Sequence, residues 1–183
     1  MILYSGTLGM KRNPALLLEL ALRCRDRSDI EIVVNSEGPG EEWLRREGAV
    51  QGLDNLVLLP FQPYERFPEV LASADILTEI LEPDAGVFSV LSKVLSYLCA
   101  ARPVFAAIPP ENLAARVVAG NDAGRVAAPH DVEAFAAHSE ALLADPGLRA
   151  TLGRNARAYA ESRFRIKDIG ERFEAILSAT KWN

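Results

Sequence analysis

Residues 82–104 read EPDAGVFSVLSKVLSYLCAARPV, and this stretch decides how the rest of the chain is organised. An acidic, glycine-containing loop runs into an amphipathic helix over Ser92–Ala100, and Pro103-Val104 then opens an apolar strand. A small-residue loop that follows a strand and feeds a helix is where α/β proteins hold phosphates and sugars. Backbone N–H groups and the positive end of the helix converge there. Ser89, Ser92 and Lys93 stand at this helix start, and two hydroxyls with one cation suit a diphosphate ester. The plainer alternative makes Ser92 a helix N-cap and Lys93 a solvated lysine.

On either side of that stretch, short apolar runs alternate with helical patterns. Strands are expected at Met1–Ser5, Ile30–Asn35, Leu56–Leu59, Asp75–Ile80, Pro103–Ala107 and Gly124–Ala127. Helices are expected at Asn13–Arg25, with Asn13 as N-cap and Pro14 at its first position, and at Glu41–Glu47, Pro63–Ser73 and Asn112–Ala119. In the first of these, Leu16, Leu17, Leu20 and Ala21 form the buried stripe. From residue 131 to 183 the chain reads as helical, in segments Asp131–Leu143, Gly147–Glu161 and Ile166–Ala179. Near-continuous Val/Ile/Leu strands alternating with helices imply a doubly wound parallel sheet covered on both faces, Rossmann-like, in one domain over residues 1–183. Ligands of such sheets bind beyond the carboxyl ends of the strands, which singles out loops 5–13, 35–41, 60–64, 81–92 and 107–112.

A length of 183 residues with 49% apolar and 25% charged side chains is ordinary for a globular domain. A net charge of -5 argues against nucleic acid or an anionic membrane as the main partner. No run approaches a membrane span, and Met1 is followed directly by a strand with no basic region or cleavage site. Cys24 and Cys99 read as small buried hydrophobes in a reducing compartment. No cysteine or histidine cluster has metal spacing, so no metal or cofactor is expected.

The loop Ser5-Gly6-Thr7-Leu8-Gly9-Met10-Lys11-Arg12-Asn13 carries two glycines that allow a tight turn, and then two cations before a helix. Its glycine spacing is that of neither a dinucleotide fingerprint nor a Walker loop. Together with Lys93 it suggests cations converging on one anion. Phe61 and Tyr64, in the loop Pro60-Phe61-Gln62-Pro63-Tyr64, read as packing groups more than as base-stacking ones.

The order of these motifs resembles the C-terminal, donor-binding domain of GT-B-fold retaining glycosyltransferases of the large family four, in the manner of members that build bacterial surface polysaccharides. YSGTLGMKRNPALLLELA is similar to that family's opening strand, glycine turn and first helix. NLVLLPFQPYERFPEVLASADI and FSVLSKVLSYLCAARPVFAAIP resemble its third-to-fourth strand segment and its donor-binding helix. The resemblance implies that Gly6 and Gly9, with Lys11 or Arg12, hold a donor diphosphate. It implies that the loop bearing Phe61 and Gln62 faces the nucleobase, mostly through backbone. The loop with Asp84, Gly86, Val87, Phe88 and Ser89 would contact the transferred sugar and phosphate, and Ser92 and Lys93 would serve the phosphates. The family's pair of glutamates would fall at Phe88 and Ser96, neither acidic. Leu91 stands where members with a Ser-Lys pair tend to have Pro, and Ala101 where the family tends to have Gly.

The implied activity is metal-independent, retaining transfer of a sugar from a nucleotide diphosphate donor, a UDP-sugar by preference. An N-terminal acceptor-binding domain not contained in this chain would complete the cleft. The implied location is cytoplasmic, with the acceptor domain able to bring it to the inner face of a membrane. Two alternatives stand beside this. One is a non-catalytic interaction module of the same fold, which the departures at Phe88, Leu91, Ser96 and Ala101 favour. The other is a sugar-nucleotide epimerase-like enzyme, for which the 81–92 loop offers only Glu82 and Asp84 as acid–base groups.

Overall fold

The computed structural model describes residues 1–9, 12–82, 89 and 91–179. Six strands, β1 (Ile2–Ser5), β2 (Ile32–Asn35), β3 (Leu56–Leu59), β4 (Ile76–Ile80), β5 (Val104–Ala107) and β6 (Gly124–Ala127), form one sheet in the order β3-β2-β1-β4-β5-β6. Every pairing is parallel. The chain leaves β1 toward β2 and β3, then returns to β1's other side to lay down β4, β5 and β6. The order therefore reverses between β1 and β4, and the crevice at the carboxyl ends of those two strands is where such sheets bind ligands.

Alternate residues of each strand enter two separate cores. Ile2, Tyr4, Ile32, Val34, Ile76, Ile80, Phe105 and Ala107 pack on one face, with α1 (Ala15–Arg23), α2 (Pro39–Gln51) and α6 (Val132–Ala144). Leu3, Val33, Leu77, Val104 and Ala106 pack on the other, with α3 (Phe67–Ala72), α4 (Ser92–Cys99) and α5 (Leu113–Gly120). The next helix, α7 (Pro146–Arg163), gives Leu152 to the first core and Ala156 and Ala160 to the second. Strands buried on both faces read as unbroken apolar runs, and such a pattern is what a parallel sheet demands.

The elements fall where the sequence places them, with differences that have local causes. The buried residues of α1 are Leu16, Leu17, Leu20 and Ala21, the expected stripe. Asn13 is not its N-cap: Asn13 takes a left-handed φ of 49°, and Pro14 occupies the cap position with no side-chain bond. α2 runs from Pro39, two residues before the expected start, because proline suits a first helical position, and ends at Gly52 in the left-handed conformation. The expected helix over 63–73 is split into a 3-10 turn, Tyr64–Arg66, followed by α3. Cys24 is buried as expected, but Cys99, the last residue of α4, is exposed.

The last helix, α8 (Ile166–Ala179), buries none of its residues, although Ile166, Phe173, Ile176 and Leu177 lie on it exposed. No helix among the described residues is long and apolar enough to cross a membrane.

Candidate functional site at the strand switch

β1 and β4 pair only at Ile2–Ile76 and Leu3–Leu77, whereas β1 and β2 pair along all four residues. Past Leu3 the two strands separate. The backbone of Ser5 would be left unpaired on that side, a costly state for a buried peptide group. Tyr97 of α4 fills the gap: its hydroxyl accepts from the Ser5 N–H at 3.1 Å and donates to the Ser5 carbonyl at 3.1 Å. Burial, followed by the Glu79 charge, pushes the Tyr97 phenol well above its usual range, so it stays protonated and able to donate.

Into the opening beyond Ser5 project three charged side chains. Glu79, on β4, is fully buried. Arg12 Nη1 donates to its Oε1 at 2.9 Å, and Lys93 Nζ lies 3.1 Å from its Oε2. Lys93 Nζ donates to the Tyr4 hydroxyl at 2.8 Å, and that hydroxyl donates to the Thr7 carbonyl at 3.0 Å. Lys93 belongs to a helix on one face of the sheet, while the Tyr4 ring lies in the core of the other, and Lys93 Nζ stands 4.0 Å from the centroid of that ring. Burial pushes the Glu79 carboxyl above the usual carboxylate range, and the Lys93 and Arg12 charges oppose that shift. Burial likewise lowers the Lys93 ammonium while Glu79 raises it. Two cations face one carboxylate and oppose the effect of burial on it; with all three groups ionised the cluster carries one net positive charge.

Gly6 is required by this arrangement. Its φ is +144°, and a Cβ there would stand 2.5 Å from Lys93 Cδ. The turn after it is fastened to the β2–α2 loop: Leu8 N–H bonds the Glu37 carbonyl at 3.1 Å, and Gly40 N–H bonds the Leu8 carbonyl at 2.8 Å. Gly9 differs from Gly6, since a Cβ there would meet none of the described residues within 4 Å and its φ is not positive.

A second series of bonds ties the strand ends together. Ser5 Oγ donates to Asn35 Oδ1 at 3.3 Å, and Asn35 Nδ2 donates to the Pro60 carbonyl at 3.1 Å. Across the switch, Asn112 caps α5 through the Ala114 N–H and donates Nδ2 to the Ser89 carbonyl at 3.0 Å. The carboxyl ends of β1, β2 and β3, and the segment entering α4, are thus held by side chains as well as by the ladder.

Of the residues the sequence singles out, Gly6, Arg12 and Lys93 are brought into contact. Arg12 and Lys93 do converge, but on Glu79, a carboxylate of the chain itself, where the expected anion was a ligand's diphosphate. Lys93 is therefore not the solvated lysine of the plainer alternative. Ser92 is not the N-cap either: Leu91 takes that position, and Ser92 is the first helical residue and exposed. Ser96 lies half-buried one turn further along α4. Phe61 is exposed and not a core residue, as is Tyr64, while Gln62 donates to the Pro60 carbonyl at 3.1 Å. These stand beyond β3, two strands and roughly 10 Å from β1. Lys11, Asp84, Gly86, Val87 and Phe88 lie outside the described residues.

Sequence reasoning missed Glu79. The signal was present: a glutamate inside the strand Ile76–Ile80, ILTEI, whose other residues are uncharged and all buried, at the strand end where ligands bind. A charge at such a position needs a partner, and two unpaired cations were already in view.

Solved structures share this architecture. A glycosyltransferase from Rickettsia africae ESF-5 superposes with a TM-score of 0.77 at 16% identity, over 98% of this chain and 48% of that one. Sucrose-phosphate synthase from Thermosynechococcus elongatus does so with a TM-score of 0.71 at 21% identity, over 98% of this chain and 46% of that one. In sequence, WcaI of Escherichia coli (strain K12), assigned as a colanic acid biosynthesis glycosyl transferase, is 35% identical over 74 residues, which are 40% of this chain and 18% of that protein. The chain thus spans less than half the length of each of these relatives. Residues 1–159 match the family described as glycosyl transferases group 1, and on that match over most of its length the chain belongs to that family.

Proposed function

We infer that the chain is the donor-binding half of a glycosyl transferase and takes a nucleotide diphosphate sugar, UDP-linked by preference, at the β1–β4 switch. The observation that carries this is the meeting of Arg12 and Lys93 beside a Gly6 turn at the head of α4. The diphosphate lies against the residue 6–12 turn and the α4 N-terminus, where N–H groups and cations stabilise it. The nucleobase lies toward Phe61 and Gln62, and the sugar toward residues 84–89. Ser92 and Ser96 offer neutral hydroxyls along α4.

A second domain completes the cleft, binds the acceptor and excludes water, with transfer proceeding by retention and without a metal. The exposed apolar side chains of α8 support the presence of such a partner, since an amphipathic helix with nothing buried leaves its apolar face to another surface. Without that domain the chain alone transfers no sugar.

One observation favours the non-catalytic module instead: Glu79 already occupies both cations. Titration of the full chain with UDP and with uridine, followed by nuclear magnetic resonance, separates the two readings. Donor binding gives shifts clustered at residues 6–13, 60–64 and 84–96, with weak affinity. Lys93→Ala then weakens UDP about tenfold or more, for the loss of a charge-assisted contact of about 1.5–3 kcal/mol, and leaves uridine nearly unchanged. Lys167→Ala, on the exposed surface of α8, changes neither. Shifts elsewhere, or no loss in the Lys93 variant, would make the module the better reading.

A further inference from the structure

Glu79 has no role in the donor-site reading beyond fixing two cations, yet it places a buried negative charge at the same strand end as the expected diphosphate. Its carboxylate is reached by Arg12 at 2.9 Å and Lys93 at 3.1 Å and is fully shielded from solvent. A carboxylate so placed does two things at once. It orients the cations, and it repels any anion that comes to them, more strongly the more charge that anion carries.

We propose that Glu79 is a specificity-determining residue that biases the site toward the sugar-esterified diphosphate and against the free nucleoside diphosphate released after transfer. This rests on the donor-site reading above. The two ligands differ in charge. The terminal phosphate of a nucleoside diphosphate loses its last proton near pH 6, so free UDP carries a charge of about −3 at neutral pH. Esterification by the sugar removes one ionisable oxygen and leaves about −2. With Glu79 present the cluster's net charge is +1; a neutral side chain in its place would make it +2. The added attraction scales with ligand charge, so the free diphosphate gains more than the ester, and uridine gains nothing. Product that binds too well blocks the next donor, and a fixed negative charge beneath the diphosphate counters that.

Glu79→Gln is the test, because the amide keeps an oxygen to accept from Arg12 and keeps the volume. Binding of UDP, UDP-glucose and uridine is measured by titration at about pH 7.5, above the phosphate pKa near 6. Both anions bind the variant more tightly, and UDP gains about fivefold more than UDP-glucose, the scale of one charge acting on another several ångströms away at a half-buried site. Uridine is unchanged. Equal gains for the two anions, or losses for both, would show that Glu79 only orients Arg12 and Lys93 and would overturn the proposal.

The unaltered protein supplies a second measurement that does not depend on the variant's folding: UDP binds it no more tightly than UDP-glucose does. A UDP preference of tenfold or more would also overturn the proposal. If none of these ligands binds either protein, the donor-site reading itself fails and this inference with it; binding with an unaltered UDP to UDP-glucose ratio in the variant removes this inference alone.

Discussion

Removal of one oxygen atom, in Tyr97→Phe, isolates the device that lets β1 and β4 part. The ring is fully buried and keeps its packing in the variant, so the transfer free energy of the side chain barely changes. What is lost is the pair of 3.1 Å bonds to the Ser5 N–H and carbonyl. Those peptide groups lie where the β4 ladder has already ended and have no alternative partner strand among the described residues. A buried group left without its partner costs about 1–3 kcal/mol. Two such groups, each losing a rather long bond, give a destabilisation of about 2–4 kcal/mol. Urea unfolding with an unchanged denaturant slope measures it, and amide exchange locates it, as faster exchange at Ser5 with the β1–β2 amides still protected. A loss below about 1 kcal/mol with Ser5 still protected would refute the assignment of Tyr97 as a substitute strand partner.

Three further outcomes follow from the geometry. Gly6→Ala must adopt a φ of +144° and drive its Cβ against Lys93, so it destabilises by about 2–3 kcal/mol and also weakens diphosphate binding, because Lys93 can yield only by leaving Glu79; calorimetry and UDP titration read the two effects. Ala101 holds a φ of 56° in the turn between α4 and β5, where glycine is at no disadvantage, so Ala101→Gly stabilises by about 0.5–1 kcal/mol in thermal unfolding, and a loss of stability would mean its methyl contributes packing. The Glu79 carboxyl is raised by burial, so the folded protein keeps this proton to higher pH than the unfolded chain, whose glutamates titrate at about 4.3. The stability from this group is therefore full below that value and declines as pH rises through the folded pKa. Paired urea midpoints should show the unaltered protein losing ground to Glu79→Gln across that interval, and a constant difference would contradict the shift.

The fold was legible because its signals are local and repeated. Apolar runs such as IVVN and VFAA, each flanked by helical periodicity, need no knowledge of distant residues to be placed, and crossover handedness with layering gives a doubly wound parallel sheet, though not its strand order. The family resemblance rested on the same order of elements and survived comparison. What failed was chemistry that depends on who meets whom. Asn13 looked like a cap because asparagine before proline usually is one; in the fold the chain turns left-handed there and the cap passes to Pro14. Cys99 looked buried because its helix is apolar, but it falls on the last residue, facing out. Lys93 and Arg12 were rightly grouped, since both flank loops at the same sheet end. Their shared partner went unnoticed because a single glutamate inside an apolar strand carries no motif. Its meaning lies in a contact with residues 67 and 14 positions away.

The bond series Ser5–Asn35–Pro60 has a consequence for any ligand that spans from β1 to β3. The two ends of such a ligand rest on backbone already cross-braced, so neither end has to pay the ordering cost on behalf of the other. Fragments carrying only one end then bind independently, with neither sensitising the protein to the other. The advantage of the intact molecule is that of a tether, set by how well its length matches the gap between the strand ends. Cutting the brace with Asn35→Ala would turn that additive behaviour into cooperative behaviour, because the first fragment to arrive would do the organising.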